Sequence, residues 1–359
     1  MSIMEGTLYK KGGHLKKWKK KSFSIIDNIM VYGKKKTKII KIPSPENINF
    51  APKCKRNFAF TITVPNKVYF LAAETKEEMD NWVSTLQRIT SGLQNINSSD
   101  ELEVVQILKV GDEVEMMVVK QKDVDNDKEF LLKKIKSKST EIEIEIGLIE
   151  RLLHKSSPFI SRLNCSFEEN ENKYLIFDFL KDGKLFDKLY NEDKKFQFKD
   201  AQKYAAELFL AIKFLHDNNL IYGDLNPDRI ILNKMNHIRL MMPGLSKSTE
   251  ITPYTAPEII RGETPTKQTD WYCYGVLVYE MICGFPPFWE ETTELLSNAI
   301  LNEKEKFPNH VVSNISSFLT SLLNKEPSQR FNKGDDIENE IKSHPFFTGI
   351  KWVSIESIQ

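Results

Sequence analysis

Cysteine is scarce in this 359-residue chain. Cys54, Cys165, Cys273 and Cys283 lie far apart and form no metal-ligand spacing. That pattern excludes a disulfide-stapled secreted module and a zinc site, and it fits a reduced cytosolic interior. Long apolar runs are lacking too. The longest, Trp271–Phe285, contains Glu280 and is too short to cross a bilayer, so it reads as a buried helix. The first residues show no secretory apolar segment, and Ser2 after Met1 gives no myristoylation signal. Net charge is almost absent: 51 Lys and Arg stand against 50 Asp and Glu, or +1 with neutral histidine. The balance conceals an asymmetry. Residues 1–93 hold 18 basic against 7 acidic residues, a net +11, and the remainder 33 against 43, a net −10. Blocks of opposite charge imply separate domains with different partners. With 40% hydrophobic and 28% charged residues the composition is ordinarily globular, and the length suits two or three domains.

The basic front is built of short alternating segments: Gly6–Lys10, Lys19–Ile26, Ile29–Tyr32, Lys38–Ile42, Phe58–Val64 and Val68–Ala72. Turn residues at Gly12-Gly13, Asp27-Asn28 and Pro65-Asn66 separate them, which predicts a small antiparallel barrel or sandwich. A capping box at Thr75 and Glu78 then opens a helix whose stripe is Met79, Trp82, Val83 and Leu86. Residues two apart on a strand share a face, so Lys19, Lys21 and Phe23 point the same way, with Phe23 inside and the lysines at the open mouth. A barrel closed by a helix with a central Trp resembles a pleckstrin-homology (PH) domain, and EGTLYKKGG…WKKKSF carries the likeness most specifically. Likeness to the phosphoinositide-binding members places Lys10, Lys19 and Lys21 on inositol phosphates, with Tyr32 on the neighbouring strand and Lys16 close by. The family often has Arg at the last two lysine positions. Lysine supplies charge without the bidentate fork, which leaves general attraction to anionic membranes, ~1 kcal/mol per Lys, as the alternative.

Residues 93–102 begin as a polar, turn-rich stretch and read as a linker. Strand patterns follow over 104–119, 129–135 and 174–179, with a helix over 141–153. Longer helical patterns then cover 201–216, 271–283, 294–300 and 314–324. Strands first and helices after predict two lobes. Between them runs Leu220–Leu245, a polar loop leading into a hairpin of Ile230–Leu232 and Ile238–Met241. This stretch, with Ala256-Pro-Glu258, Asp270 in DWYCYG and Arg330 in PSQR, resembles a serine/threonine protein kinase of the AGC group. The likeness runs to Trp352, and with the PH domain the architecture is Akt-like. The resemblance implies a multidomain α+β fold: PH β-barrel with a C-terminal helix over 1–92, linker 93–102, small lobe 103–179, large lobe 180–349 and a short tail 350–359.

The same resemblance assigns roles residue by residue. Asp224 stands at the catalytic base and becomes vestigial if its neighbours fail. Tyr222 and Gly223 replace His-Arg, Asn226 replaces the Lys, Arg229 replaces the metal-binding Asn, and Met242-Pro243-Gly244 replaces Asp-Phe-Gly. The phosphate-covering loop keeps only Gly111, beside Asp112 and Glu113. Lys133 sits at the phosphate-binding lysine and Leu131 at a small alanine; the helix Glu falls on Leu148, with Glu145 a turn earlier as substitute. Phe177 fills the gatekeeper position, and Lys184 replaces a common Glu. Glu258 and Arg330 are expected to pair, and Asp270 to brace the loop. A thioether at Met242 suits magnesium poorly. A fixed positive charge ~4 Å from a divalent ion costs up to roughly 8 kcal/mol at an effective dielectric of ~20.

No metal site and no cofactor are therefore expected, and ATP with magnesium enters only under an alternative. Three readings stand: a pseudokinase scaffold or allosteric regulator recruited to phosphoinositide or other anionic membranes, an atypical active kinase in which Arg229 replaces the metal, and an inert PH–kinase-fold binding module. The partners expected are an anionic phospholipid and an unidentified signalling protein, with no nucleic acid, in the cytoplasm with reversible membrane recruitment. Only eleven residues, Leu245–Thr255, form the activation segment, so Thr249, Thr252 and Thr255 read as surface or helix-entry residues. Residues 350–359 are not expected to supply the hydrophobic motif that the resemblance implies. The charge asymmetry predicts that the basic front meets an acidic face, either Glu141, Glu143 and Glu145 or Glu168, Glu169 and Glu171.

Overall fold

Alternation of apolar and polar residues sets the strands of the front domain, seen in a computed structural model. It describes residues 4–356 except 13–16, 27–28, 34–37, 42–47, 52–53, 55, 65–66, 92, 94–95, 123–127, 137–138, 156, 191–195, 243–249 and 331–336. Seven strands, β1 (Met4–Lys11), β2 (Trp18–Ile26), β3 (Ile29–Tyr32), β4 (Lys38–Lys41), β5 (Ile48–Phe50), β6 (Ala59–Val64) and β7 (Lys67–Ala72), form one antiparallel sheet ordered β4-β3-β2-β1-β7-β6-β5. Leu8, Phe23, Ile25, Met30, Ile40, Ile48, Phe60, Ile62 and Leu71 make its core. Ile40 and Ile48 belong to the two terminal strands, so the sheet curls until its ends share that core. Helix α1 (Lys76–Ser91) closes it with Trp82, Val83 and Leu86. The Glu78 N–H donates to Thr75 Oγ1 at 3.1 Å, and the Glu78 carboxylate reaches back to the Glu74 N–H. Strand β5 escaped sequence reading because three residues are too few for a period to register.

The stretch read as a linker is packed rather than free. Leu93 and Ile96 are buried in one core with Leu102, Val119, Phe130, Leu132, Tyr174 and Ile176. The Ser98 hydroxyl donates to Glu169 at 2.5 Å and the Ser99 N–H to the same carboxylate at 3.1 Å. Helix α1 lies against a 3-10 turn at Arg151–His154 and against the strand that carries Glu169. Glu169, expected to attract lysines, is thus occupied by serines.

The small lobe is a sheet ordered β11-β12-β10-β9-β8, made of β8 (Leu102–Lys109), β9 (Val114–Gln121), β10 (Phe130–Ile135), β11 (Leu163–Glu169) and β12 (Asn172–Asp178). Its helix α2 (Thr140–Glu150) starts where Ser139 Oγ accepts from the Ile142 N–H, and buries Ile142, Ile146 and Ile149. The large lobe holds α3 (Leu185–Lys188), α4 (Phe198–Asp217), the hairpin β13 (Ile230–Leu232) and β14 (Ile238–Leu240), and α5 (Pro257–Ile260). It continues with α6 (Lys267–Cys283), α7 (Thr293–Asn302), α8 (Ser313–Leu322), α9 (Ile337–Ser343) and α10 (Trp352–Glu356). Helix α6 is buried from Thr269 to Cys283, as its unbroken apolar run requires. A Cβ at Gly275 would fall 2.7 Å from Leu322 Cβ, so glycine sets the close crossing of α6 and α8. Among the described residues no helix is long and apolar enough to cross a membrane.

Candidate functional site

The loop before β13 is held by a buried carboxylate on α6. Asp270 accepts the Tyr222 and Gly223 N–H groups at 2.8 Å each, and lies 2.7 Å from His216 Nε2. Gly223 takes φ +74°, a left-handed conformation that glycine adopts without a Cβ clash. The Tyr222 hydroxyl donates to the Met241 carbonyl at 2.8 Å and ties the loop to the hairpin. A second frame joins Glu258 to Arg330 by two hydrogen bonds of 2.6 Å, with Thr269 Oγ1 donating to the same carboxylate. Burial alone would raise the Glu258 carboxyl, but the guanidinium outweighs it and holds it below the usual range.

Within that frame the charged groups turn on one another. Arg229 Nη2 donates to Asp224 Oδ2 at 2.8 Å, and Asn226 Nδ2 donates to Asp224 Oδ1 at 3.1 Å. Both oxygens at the catalytic-base position are therefore taken by the residues that replace the Lys and the Asn. Lys133 is fully buried and donates to the Met242 carbonyl at 3.1 Å, its Nζ 5.2 Å from the Phe177 ring centre. Burial first, then the charge of Arg229, pulls its ammonium down to about 7, while Glu145 acts in the opposite sense. Leu148 is half-buried against the core. Val114, Leu131, Phe177 and Met242 all belong to one apolar core that continues from the small lobe into the large lobe. Gly111 turns the chain between β8 and β9, where a Cβ would come 3.0 Å from the Val114 carbonyl. Pro243, Gly244 and Thr249 lie outside the described residues.

The donor set does not fit a magnesium pair. At the positions that the resemblance gives to the magnesium ligands stand a guanidinium, Arg229, and a thioether, Met242, and Asp224 is engaged by Arg229. Two further charges in the large lobe are paired and were not singled out as pairs from the sequence. Lys184 binds Asp228 at 2.6 Å, and buried Glu280 accepts the Tyr190 and Tyr254 hydroxyls at 2.6 Å each. Thr252 and Thr255 bond each other in a turn, the Thr252 N–H donating to Thr255 Oγ1 at 2.9 Å.

The front domain treats its charges differently. Strand pairing sets Lys10 directly opposite Lys19, and Leu8 opposite Lys21. Lys10 Nζ lies 5.4 Å from the Tyr32 ring centre and 5.5 Å from that of Tyr69. Its ammonium is lowered by burial first and then by Lys67, Lys38 and Lys21. Lys38, Lys67 and Tyr69 were missed; the alternation Lys67-Val-Tyr69 on β7 was the available signal. Tyr32 stacks on Phe23 with ring centres 5.1 Å apart. On the opposite face Lys20 pairs with Glu74 at 2.6 Å. Lys16 lies outside the described residues.

Comparison with known proteins follows this division. A protein kinase domain model matches residues 105–347 and a PH domain model residues 2–91. The RAC family serine/threonine-protein kinase homolog of Dictyostelium discoideum is 32% identical over 97% of this chain and 84% of that protein. The RAC-beta serine/threonine-protein kinase B of Xenopus laevis is 27% identical over 99% of this chain and 86% of its own length. The serine/threonine-protein kinase SCH9 of Saccharomyces cerevisiae is 37% identical over 71% of this chain but 33% of its own length. With a PH domain before a bilobal kinase fold, the chain belongs to the protein kinase family, among its RAC/Akt-like AGC members.

Proposed function

We propose that this chain is a pseudokinase that its PH domain brings to anionic or phosphoinositide membranes, where the kinase fold serves as a scaffold or allosteric regulator for a signalling protein. The observation that carries the reading is the Arg229–Asp224 ion pair at 2.8 Å. Phosphoryl transfer rests on positioned phosphates and on metal ions that neutralise them. Here the second metal position holds a guanidinium that has turned onto the base, and the first holds a thioether. Leu131 and Phe177 are bulky core residues at positions that the resemblance sets against adenine, and Lys133 would have to leave the Met242 carbonyl to reach a phosphate. Its relatives are named as kinases, and the frame of Glu258 with Arg330 and of Asp270 under the loop is formed here as well.

Membrane recruitment draws on the lysines grouped around Tyr32 and Tyr69. Like charges held together are relieved by an anion, and inositol phosphates supply several negative charges at once. Transfer from labelled ATP tests the catalytic half of the reading. The full chain with general protein substrates should label no more than its Asp224→Asn variant. Label that appears with the parent and vanishes in that variant makes the chain an enzyme. Transfer that persists without magnesium would favour a metal-independent kinase using Arg229 and Lys133.

A further inference from the structure

Strand β8 ends the small-lobe sheet, and among the described residues no strand lies beyond it. Every residue from Glu103 to Lys109 is exposed, including Val104, Val105, Ile107 and Leu108, and Val110 just after it is 72% exposed. Edge strands are ordinarily blunted by charge, proline or bulges. Here charge occurs only at the two ends, and proline is missing. Two bulges interrupt the pairing with β9, at Val105 and Leu108, and they leave aliphatic side chains outward.

We propose that β8 joins two copies of this chain, antiparallel, about a two-fold axis at Gln106. The segment is self-complementary in that register alone. Val105 faces Ile107 of the second copy, Val104 faces Leu108, and Glu103 faces Lys109, each pair occurring twice. A shift by one or two residues in either direction sets Glu103 or Lys109 against an aliphatic side chain, which the charge would oppose. A strand of unrelated sequence would have no reason to match this order, so a second copy is the occupant the sequence fits. The bulges confine regular pairing to a short stretch. Such an interface is smaller than those of stable dimers, and association in the range of about 10–100 µM is expected.

Sedimentation of the full chain from about 1 µM to about 1 mM reads this directly. A reversible dimer is expected. Glu103→Lys should weaken it roughly tenfold, because the like-charge contact is made twice. Adding Lys109→Glu to that variant should restore it, which separates pairing from any fault in folding. A Gln106→Cys chain should form a 106–106 disulfide on mild oxidation, since directly opposed strand residues sit within disulfide reach. Glu103→Cys should not cross-link to itself, and Cys54 and Cys165 in the parent chain give the background. A chain monomeric at about 1 mM, a dimer indifferent to the charge reversals, or cross-linking no better at 106 than at 103 would each overturn the proposal.

Discussion

The mouth of the front-domain sheet and the interlobe cleft both gather charged side chains, and they treat them in opposite ways. At the mouth, Lys67, Lys38 and Lys21 all act on the ammonium of Lys10, and among the described residues none of the four forms an ion pair. The contrast is visible within one strand, because Lys20 on the other face of β2 is tied to Glu74. In the cleft the charged pairs close on each other, Arg229 with Asp224 and Lys184 with Asp228, while Lys133 donates to the Met242 carbonyl and its ammonium stays depressed by burial and by Arg229. An anion arriving at the mouth removes repulsion and breaks nothing. A metal–nucleotide complex that used Asp224 and Lys133 would first have to break the Arg229–Asp224 pair and the buried Lys133–Met242 hydrogen bond. The proposed function rests on this contrast: an anion bound at the mouth and no nucleotide in the cleft.

The largest expected effect tests whether the two regions are independent. Arg330→Met leaves buried Glu258 uncompensated and should cost ~3–5 kcal/mol in the kinase-like region. Calorimetry should show that loss with binding to anionic vesicles unchanged; a parallel loss of vesicle binding would mean that the front site depends on the lobes. Next in size, replacing Lys10 and Lys21 together by Ala should weaken vesicle binding by ~2 kcal/mol, roughly thirtyfold. Lys20→Ala, on the paired face, should do far less, and equal effects from both would remove the distinction between the two faces. The effect of Lys133 is spread over pH. Its ammonium titrates at about 7 in the folded chain against an ordinary 10.5, so between those values the unfolded chain holds a proton that the folded chain lacks. Stability therefore rises with pH across that window, by at most ~1.4 kcal/mol per unit, and the cost is fully present below it. Lys133→Met should be more stable than the parent at neutral pH, with the advantage shrinking towards pH 10. A constant difference across that range would place the lysine in a less costly setting.

Frame and front sheet were largely legible because they rest on local signals. Alternation marks β1 to β4, β6 and β7, and an apolar run marks α6. Ala256-Pro-Glu258 and the distant Arg330 are recognisable only through resemblance, since their meeting depends on the fold. What escaped reading depends on packing. Leu93 and Ile96 look like isolated apolar residues in a polar stretch until the small-lobe sheet covers them. The alternation Lys67-Val-Tyr69 sets these two on one face, but that the face is shared with Lys10 follows only from the pairing of β7 with β1. Arg229 was read as a charge that repels a metal. That it would turn onto Asp224, five residues back, follows from the tight turn at Pro227–Arg229, which brings the two together.

A thermal-unfolding titration of the full chain with ATP, with and without magnesium, tests the satisfied cleft most directly. A ligand at a hundredfold excess over its Kd adds about 2.7 kcal/mol to the folded state, which such a titration resolves. If the proposed function holds, no magnesium-dependent rise in Tm is expected up to millimolar ATP, since Arg229 is bonded to Asp224 and Leu131 and Met242 are packed in the core. A magnesium-dependent rise at sub-millimolar ATP would contradict it and show that the cleft opens to a metal–nucleotide complex.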